Sequence, residues 1–317
     1  MVGPFIKVCD LMLPENVQKV LRRQKYKIVG NHSAAKLCLW TRKSIKTGGR
    51  EYCYKEKFYG DIGIKSHGCL QCTPAVSWCS LRCPFCWRAL ELTLGQKIQK
   101  EDEPEFIVDG LIKAQRELLT GLGGVPHDEK FLREAQNPSH AAISLSGDPC
   151  CYSKLSNLIK EFHKRKIKTF LVTNGTFPER LESLETLPVQ LYVSLCSNSK
   201  EMLESFQKPL IKDAWKKLNQ TLDLLPNLKT RKVIRLTMVK DLNMVEPEKY
   251  AKLIKKAMPN FVEVKSFMSV GFSRKRLPYS SMPSHEEIRE FSESLSNHLG
   301  YKIANEKKDS RVVLLKK

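Results

Sequence analysis

Residues 78–88 read Trp-Cys-Ser-Leu-Arg-Cys-Pro-Phe-Cys-Trp-Arg, which places Cys79, Cys83 and Cys86 in the spacing Cys-x3-Cys-x2-Cys. Three thiolates this close can hold three irons of a cubane cluster and leave the fourth iron without a protein ligand, open to an outside molecule. A zinc ribbon needs two ligand pairs or a Cys/His quartet at matching spacing, and this triplet has no evident fourth member. Phe85 and Trp87 are placed to shield a cluster from water, although ordinary core packing would use the same residues.

Outward from this loop the pattern becomes regular. After Pro104, stretches with helical periodicity (106–119, 153–165, 211–225, 247–258 and 285–299) alternate with apolar runs suited to strands (141–146, 168–173, 189–195, 232–239 and 261–267). Repeated β-then-α units imply α/β architecture, a parallel sheet with helices outside and a site at the carboxyl ends of the strands. Counted from the cysteine loop, the units number about six against the eight of a closed barrel, so an incomplete (βα)6-type barrel, open along one side, is expected. Residues 123–140 read as an insertion over one rim, and the tail 311–317 as an added edge strand. The chain divides into a basic, cysteine-rich amino-terminal segment, 1–68, and the partial barrel with a carboxy-terminal extension, 69–317.

The 317 residues are 41% hydrophobic, ample for a buried core, and carry a formal net charge of +20. No apolar run is long enough for a membrane span, and residues 1–17 lack the pattern of a signal peptide, so a soluble, cytoplasmic protein is expected. Seven of the eleven cysteines fall between Cys38 and Cys86. In a reducing compartment such crowding points to metal or redox chemistry. Basic residues cluster at 21–27, 229–235 and 273–276, which suits a phosphate-rich partner; a solvated basic face is the plainer alternative. Arg22, Arg23, Lys25, Arg274, Lys275 and Arg276 are the candidate phosphate contacts.

The loop Cys79-Ser-Leu-Arg-Cys-Pro-Phe-Cys-Trp-Arg88 resembles the signature of radical S-adenosylmethionine (SAM) enzymes. Ser146-Gly147-Asp148-Pro149, at the end of a strand, looks like that superfamily's Gly-Glu-Pro motif, whose backbone holds the SAM amino group; Asp148 departs from the usual Glu. On this resemblance Thr173, Asn174 and Ser194, at the ends of the next strands, are further SAM contacts. Asn-Gly at 174–175 would otherwise be an ordinary turn.

Residues 36–44, 51–60 and 66–79, together with the cluster loop, resemble the 4-demethylwyosine synthase family of the tRNA wybutosine pathway. The resemblance implies a second 4Fe-4S cluster on Cys38, Cys53 and Cys69, spaced Cys-x14-Cys-x15-Cys, longer intervals than the family's usual ones. Cys72 competes with Cys69 as a ligand and could form a zinc knuckle with it; it is read as a packed thiol, as are Cys9, Cys150, Cys151 and Cys196.

The implied reaction is a carbon-carbon lyase-class condensation of N1-methylguanosine at position 37 of tRNA(Phe) with pyruvate. A 5′-deoxyadenosyl radical takes a methyl hydrogen, the carbon radical adds to pyruvate, the carboxylate end is lost, and a tricyclic base forms. An iron of the second cluster would chelate pyruvate, and a lysine would form a Schiff base with it. Lys55 and Lys57 match the family positions, with Lys55 the first choice; local charge balance or RNA phosphate would also account for the pair. His67 is either a polar neighbour of the cluster or an exposed loop residue. The family's eukaryotic members carry a flavodoxin domain. With 37 residues before Cys38, this chain resembles the short archaeal form, expected to act as a monomer with a separate electron donor. The competing readings are another radical SAM RNA-modifying enzyme, such as a methyltransferase lacking the upstream triplet, and a non-catalytic metal-stabilised RNA-binding module.

Overall fold

A computed structural model describes residues 13–317, so Cys9 lies outside the described residues. Runs rich in Val, Ile, Leu and Phe become strands because β-branched and aromatic side chains suit a pleated, buried surface. The strands are β1 (Lys27–Val29), β2 (Ser33–Ala35), β3 (Cys69–Thr73), β4 (His140–Ile143), β5 (Lys168–Thr173), β6 (Gln190–Ser194), β7 (Arg231–Met238), β8 (Phe261–Ser266), β9 (Lys302–Lys307) and β10 (Val312–Lys316). They form one sheet in the order β1-β2-β3-β4-β5-β6-β7-β8-β10-β9. β3 to β8 are parallel neighbours throughout, which gives the expected six-stranded open barrel.

Two features depart from the sequence expectation. The segment ending at residue 68 is continuous with the barrel, because β2 pairs antiparallel with β3. The carboxy-terminal tail is not an edge strand: β10 lies between β8 and β9, and β9, formed by Lys-Ile-Ala-Asn-Glu-Lys, takes the edge. That segment is polar and half-exposed along its length, as suits an edge, and carries little apolar signal.

Helices α1 (Glu15–Arg23), α2 (Leu39–Thr47), α3 (Tyr54–Tyr59) and α4 (Pro104–Leu119) precede those that alternate with the later strands. The main core lies between the sheet and the outer helices, with Leu111, Leu158, Leu222 and Ile254 fully buried. A second core fills the barrel itself. Phe58, Tyr59 and Ile64 pack there against Phe170, Tyr192, Val233, Val312 and Leu314. Tyr59 meets Phe261, the first residue of β8, so α3 plugs the amino-terminal end and leaves the carboxyl ends as the mouth.

The insertion forms a helix, Glu129–Ala135, on the amino-terminal rim, where Ser139 N donates to Gly68 O at 3.1 Å. His67 is buried against it, stacked on Phe131 and 2.7 Å from Glu134 Oε2. It is therefore not an exposed loop residue, and its ring packs onto the insertion. Among the described residues no helix is long and apolar enough to cross a membrane.

Candidate active site

The loop bearing Cys79, Cys83 and Cys86 has almost no regular structure of its own and is held from both sides. Cys79 N donates to Gly95 O at 2.9 Å and Arg82 N to Gln207 O at 2.9 Å, and Leu81 bridges to Pro209. Gln207 ends a π-helical turn, Leu203–Gln207, a local distortion often met at functional sites. Its Nε2 lies 3.5 Å from Cys83 Sγ, while Ser197 Oγ donates to its Oε1 at 2.7 Å. Asn174 Nδ2 donates to Ser80 Oγ at 2.8 Å and points at Cys79 Sγ, 3.7 Å away. Phe85 stacks on Phe206, and Trp87 Nε1 donates to Leu145 O, so both aromatics close the back of the loop.

Exposure separates the described cysteines into two classes. Cys38, Cys53, Cys69, Cys79, Cys83 and Cys86 are half-buried, each keeping some exposure, whereas Cys72, Cys150, Cys151 and Cys196 are buried. The first six are the two expected ligand sets, and the other four are those of the cysteines read as packed thiols that lie within the described residues. Burial, then mutual repulsion with Cys79, holds the Cys83 thiol well above its usual value. Burial and the nearby Cys38 push Cys53 up to about 11, and the same causes raise Cys69. Thiols grouped this way ionise together only around a cationic metal centre. Among the described residues no three Cys, His, Asp or Glu side chains meet tightly enough for a single metal ion. A cubane makes no such demand, because each thiolate binds a different iron.

The end of β4 is built around a glycine. Gly147 has φ +68°, and a Cβ there would overlap the carbonyl oxygens of Ala75 and Trp78, at the threshold of the cluster loop. Gly147→Ala is expected to cost on the order of 4 kcal/mol or more, through strain and backbone overlap together. A fall in melting temperature with loss of iron retention checks this. Asp148 is buried and accepts from Cys150 N at 2.9 Å, Thr173 Oγ1 at 3.0 Å and Asn174 N at 2.7 Å. Its carboxylate, together with Thr173, ties the ends of β4 and β5 together. Ser146 Oγ donates to Val76 O at 2.7 Å, and Ser194 is half-exposed at the end of β6. The backbone of 146–149 and the side chains of Asn174 and Ser194 remain at the mouth.

The second cysteine set lies lower. Cys38 and Cys53 are the N-caps of α2 and α3 with nearly equal backbone angles (φ −66°, ψ 142° and φ −67°, ψ 143°). Both helices thus start at a candidate ligand, where the helix dipole favours negative charge. Cys69 opens β3 directly beside His140 of β4.

Lys55, in the first turn of α3, extends into the barrel over the ring of Tyr192, 4.8 Å from its centroid. Burial and then the positive Arg235 lower its pKa, against the pull of Glu263, Cys53 and Cys69. His140 is pushed down to about 3 by burial and by Lys55, and is a neutral imidazole. Lys57, the other lysine proposed from sequence, is exposed and donates to Glu306 O at 2.8 Å. One helical turn cannot aim both residues inward, and the catalytic reading of Lys57 is withdrawn.

Several lumen residues had no distinguishing sequence signal. Glu263 is fully buried and accepts from Arg235 Nε at 2.8 Å, Tyr59 OH at 2.8 Å and Tyr54 OH at 3.1 Å. Lys265, two residues on, donates to Ser310 O at 2.9 Å, and burial pushes its amine down to about 8.

Of the basic candidates, Arg22, Arg23, Lys25, Arg274 and Lys275 are exposed. Arg276 is not free. Its Nε donates to Pro84 O at 3.1 Å and its Nη2 to Arg88 O at 3.1 Å and to Cys86 O. Its guanidinium is therefore taken up by the cluster loop, which replaces the reading of Arg276 as a phosphate contact.

Residues 74–254 match the Radical SAM superfamily, and residues 256–317 match a family described as wyosine base formation. A protein of Pyrococcus abyssi named S-adenosyl-L-methionine-dependent tRNA 4-demethylwyosine synthase is 52% identical, over 96% of this chain and 89% of its own length. The protein of that name from Methanocaldococcus jannaschii is 40% identical, over 96% of each chain. A solved structure of TYW1 with a lysine-pyruvate adduct bound superposes with a TM-score of 0.86 at 38% identity, covering 96% of both chains. The six-stranded parallel barrel, the cysteine loop at its mouth and the relatives that span nearly its whole length agree: the chain belongs to the S-adenosyl-L-methionine-dependent tRNA 4-demethylwyosine synthase family of radical SAM proteins.

Proposed function

We propose that the chain condenses N1-methylguanosine at position 37 of tRNA(Phe) with pyruvate to give 4-demethylwyosine. The observation that carries the reading is Lys55, a half-buried amine that extends over Tyr192 inside the barrel, in electrostatic range of Cys53 and Cys69 and below a mouth bearing Cys79, Cys83 and Cys86. Cys79, Cys83 and Cys86 would hold the SAM-binding cluster; Cys38 and Cys53 from the amino-terminal segment and Cys69 from the barrel would hold the second. When bound, these groups supply the hydrogen-abstracting radical and a Lewis-acidic iron.

The protein's own part is positioning and proton control. Burial and the charge of Arg235 favour the neutral form of Lys55, the form that attacks the keto carbon of pyruvate and forms a Schiff base with loss of water. The lysine-pyruvate adduct in the related TYW1 structure supports this role. Ser146 to Pro149, Asn174 and Ser194 would hold SAM at the mouth, with Thr173 bracing the turn. Tyr192 and Phe170 flank Lys55 and keep its surroundings dry.

Arg22, Arg23, Lys25, Arg274 and Lys275 would meet tRNA phosphates, while the target base, easily unstacked in a single-stranded loop, enters the mouth. A cytoplasmic monomer that takes electrons from a separate donor completes the proposal. Incubating the reconstituted protein with SAM, pyruvate, reductant and tRNA bearing N1-methylguanosine tests it by nucleoside mass analysis. The tricyclic base is expected. A methylated product without ring formation would favour the methyltransferase alternative.

A further inference from the structure

The segment after β8 is fastened to the cluster loop more tightly than a passing contact requires. Phe272 N donates to Trp87 O at 2.9 Å, and Gly271, with φ +58°, approaches so closely that a Cβ would lie 2.6 Å from the same carbonyl oxygen. Arg276 then takes three further carbonyls of one short stretch, those of Pro84, Cys86 and Arg88. Its side chain is 18% exposed, and its remaining nitrogen, Nη1, has no hydrogen-bond partner and lies 3.9 Å from Glu91 Oε1. The guanidinium thus sits beside Cys86, whose carbonyl it binds, and within electrostatic range of Cys83, while the one carboxylate near it, Glu91 at 3.9 Å, is 64% exposed and screened by solvent.

Two physical consequences follow. Alternate carbonyls drawn onto one planar fork fix the backbone on both sides of Cys86, and with it the direction of that ligand. A fixed positive charge at this range also favours whichever state of the cluster carries more negative charge, which is the reduced state. Arg88, buried within the loop, bonds to Thr93 Oγ1 and Leu81 O and is a second positive charge in range of Cys79, Cys86 and Cys83, but it belongs to the loop itself. Arg276 reaches the loop from the carboxy-terminal module and joins the two matched segments of the chain.

We infer that Arg276 is a positioning residue for the SAM-binding cluster, setting the orientation of Cys86 and raising the cluster's reduction potential. The inference rests on the assignment of Cys79, Cys83 and Cys86 to that cluster. Replacement of Arg276 by Gln removes the charge and most of the fork; replacement by Lys keeps the charge and loses the fork.

Full-length Arg276→Gln, Arg276→Lys and wild-type protein, reconstituted with iron and sulfide, would be compared by redox titration and by electron paramagnetic resonance with and without SAM. The Gln variant should show a more negative midpoint potential and a smaller reduced fraction at fixed reductant. The Lys variant should recover most of the potential, while its SAM-dependent signal broadens into more than one form. Wild-type potential and line shape in a Gln variant with full iron content would overturn the inference. If the Gln variant does not retain its cluster, an unaltered spectrum in the Lys variant overturns the clamp. Wild-type protein that takes up no iron would instead sink the cluster assignment itself.

Discussion

Cys83→Ala is expected to abolish SAM cleavage, whereas Cys53→Ala should retain cleavage and lose ring formation. The two substitutions remove chemically equal groups from different parts of one barrel. Cys83 belongs to the loop at the carboxyl ends of the strands, held by Gln207 and by the segment that bridges through Pro209. Cys53 caps α3 below it and lies within electrostatic range of Cys38, Lys55 and Lys265. Wild-type protein should carry about eight irons per chain, and either variant about four, because each set holds one cubane. Iron analysis beside quantification of 5′-deoxyadenosine and of the modified nucleoside separates the outcomes. A Cys53→Ala protein that forms the tricyclic base at the full rate would show that the lower set is not a second-cluster site.

Lys55→Met should lower formation of the tricyclic base by at least about a thousandfold, the scale of loss when a covalent nucleophile is removed. Methionine fills a similar volume against Tyr192 and Phe170, so the packing of α3 in the barrel floor is largely kept. SAM cleavage should continue, because the loop at the mouth does not depend on this side chain. Lys57→Met is the informative partner. Its amine faces outward to Glu306 O, and product formation should change only by a small factor. Equal losses in both variants would mean that the lysines act through surface charge or RNA binding rather than through pyruvate.

The upper half of this site was legible in the sequence because its residues are close in the chain. Three cysteines within eight residues announce themselves, and the turn 146–149 follows a strand that periodicity identifies. The lower half was legible only by resemblance. Cys38, Cys53 and Cys69 are brought together by two helix starts and one strand start, and no local spacing encodes that convergence.

The lumen network was hidden for a different reason. Arg235, Glu263 and Lys265 sit inside runs that read as strands, where alternating charged residues ordinarily face solvent. A curled sheet plugged by α3 turns those positions inward instead, and the charges are tolerated because Arg235, Tyr54 and Tyr59 satisfy Glu263. β3 was missed because Cys-Leu-Gln-Cys-Thr is short and sits in a cysteine-rich stretch that reads as loop. Arg276 was misassigned because a basic tetrapeptide looks the same in sequence whether its charges meet phosphates or backbone carbonyls.

If Lys55 holds pyruvate within the barrel as a Schiff base, borohydride should trap that bond as a stable amine. The reconstituted protein would be incubated with labelled pyruvate, reduced, digested and mapped by mass spectrometry. The predicted result is a stable label on Lys55, absent from the Lys55→Met protein. No label, or a label carried by Lys265 or Lys57 with Lys55 unmodified, would mean that Lys55 does not hold pyruvate.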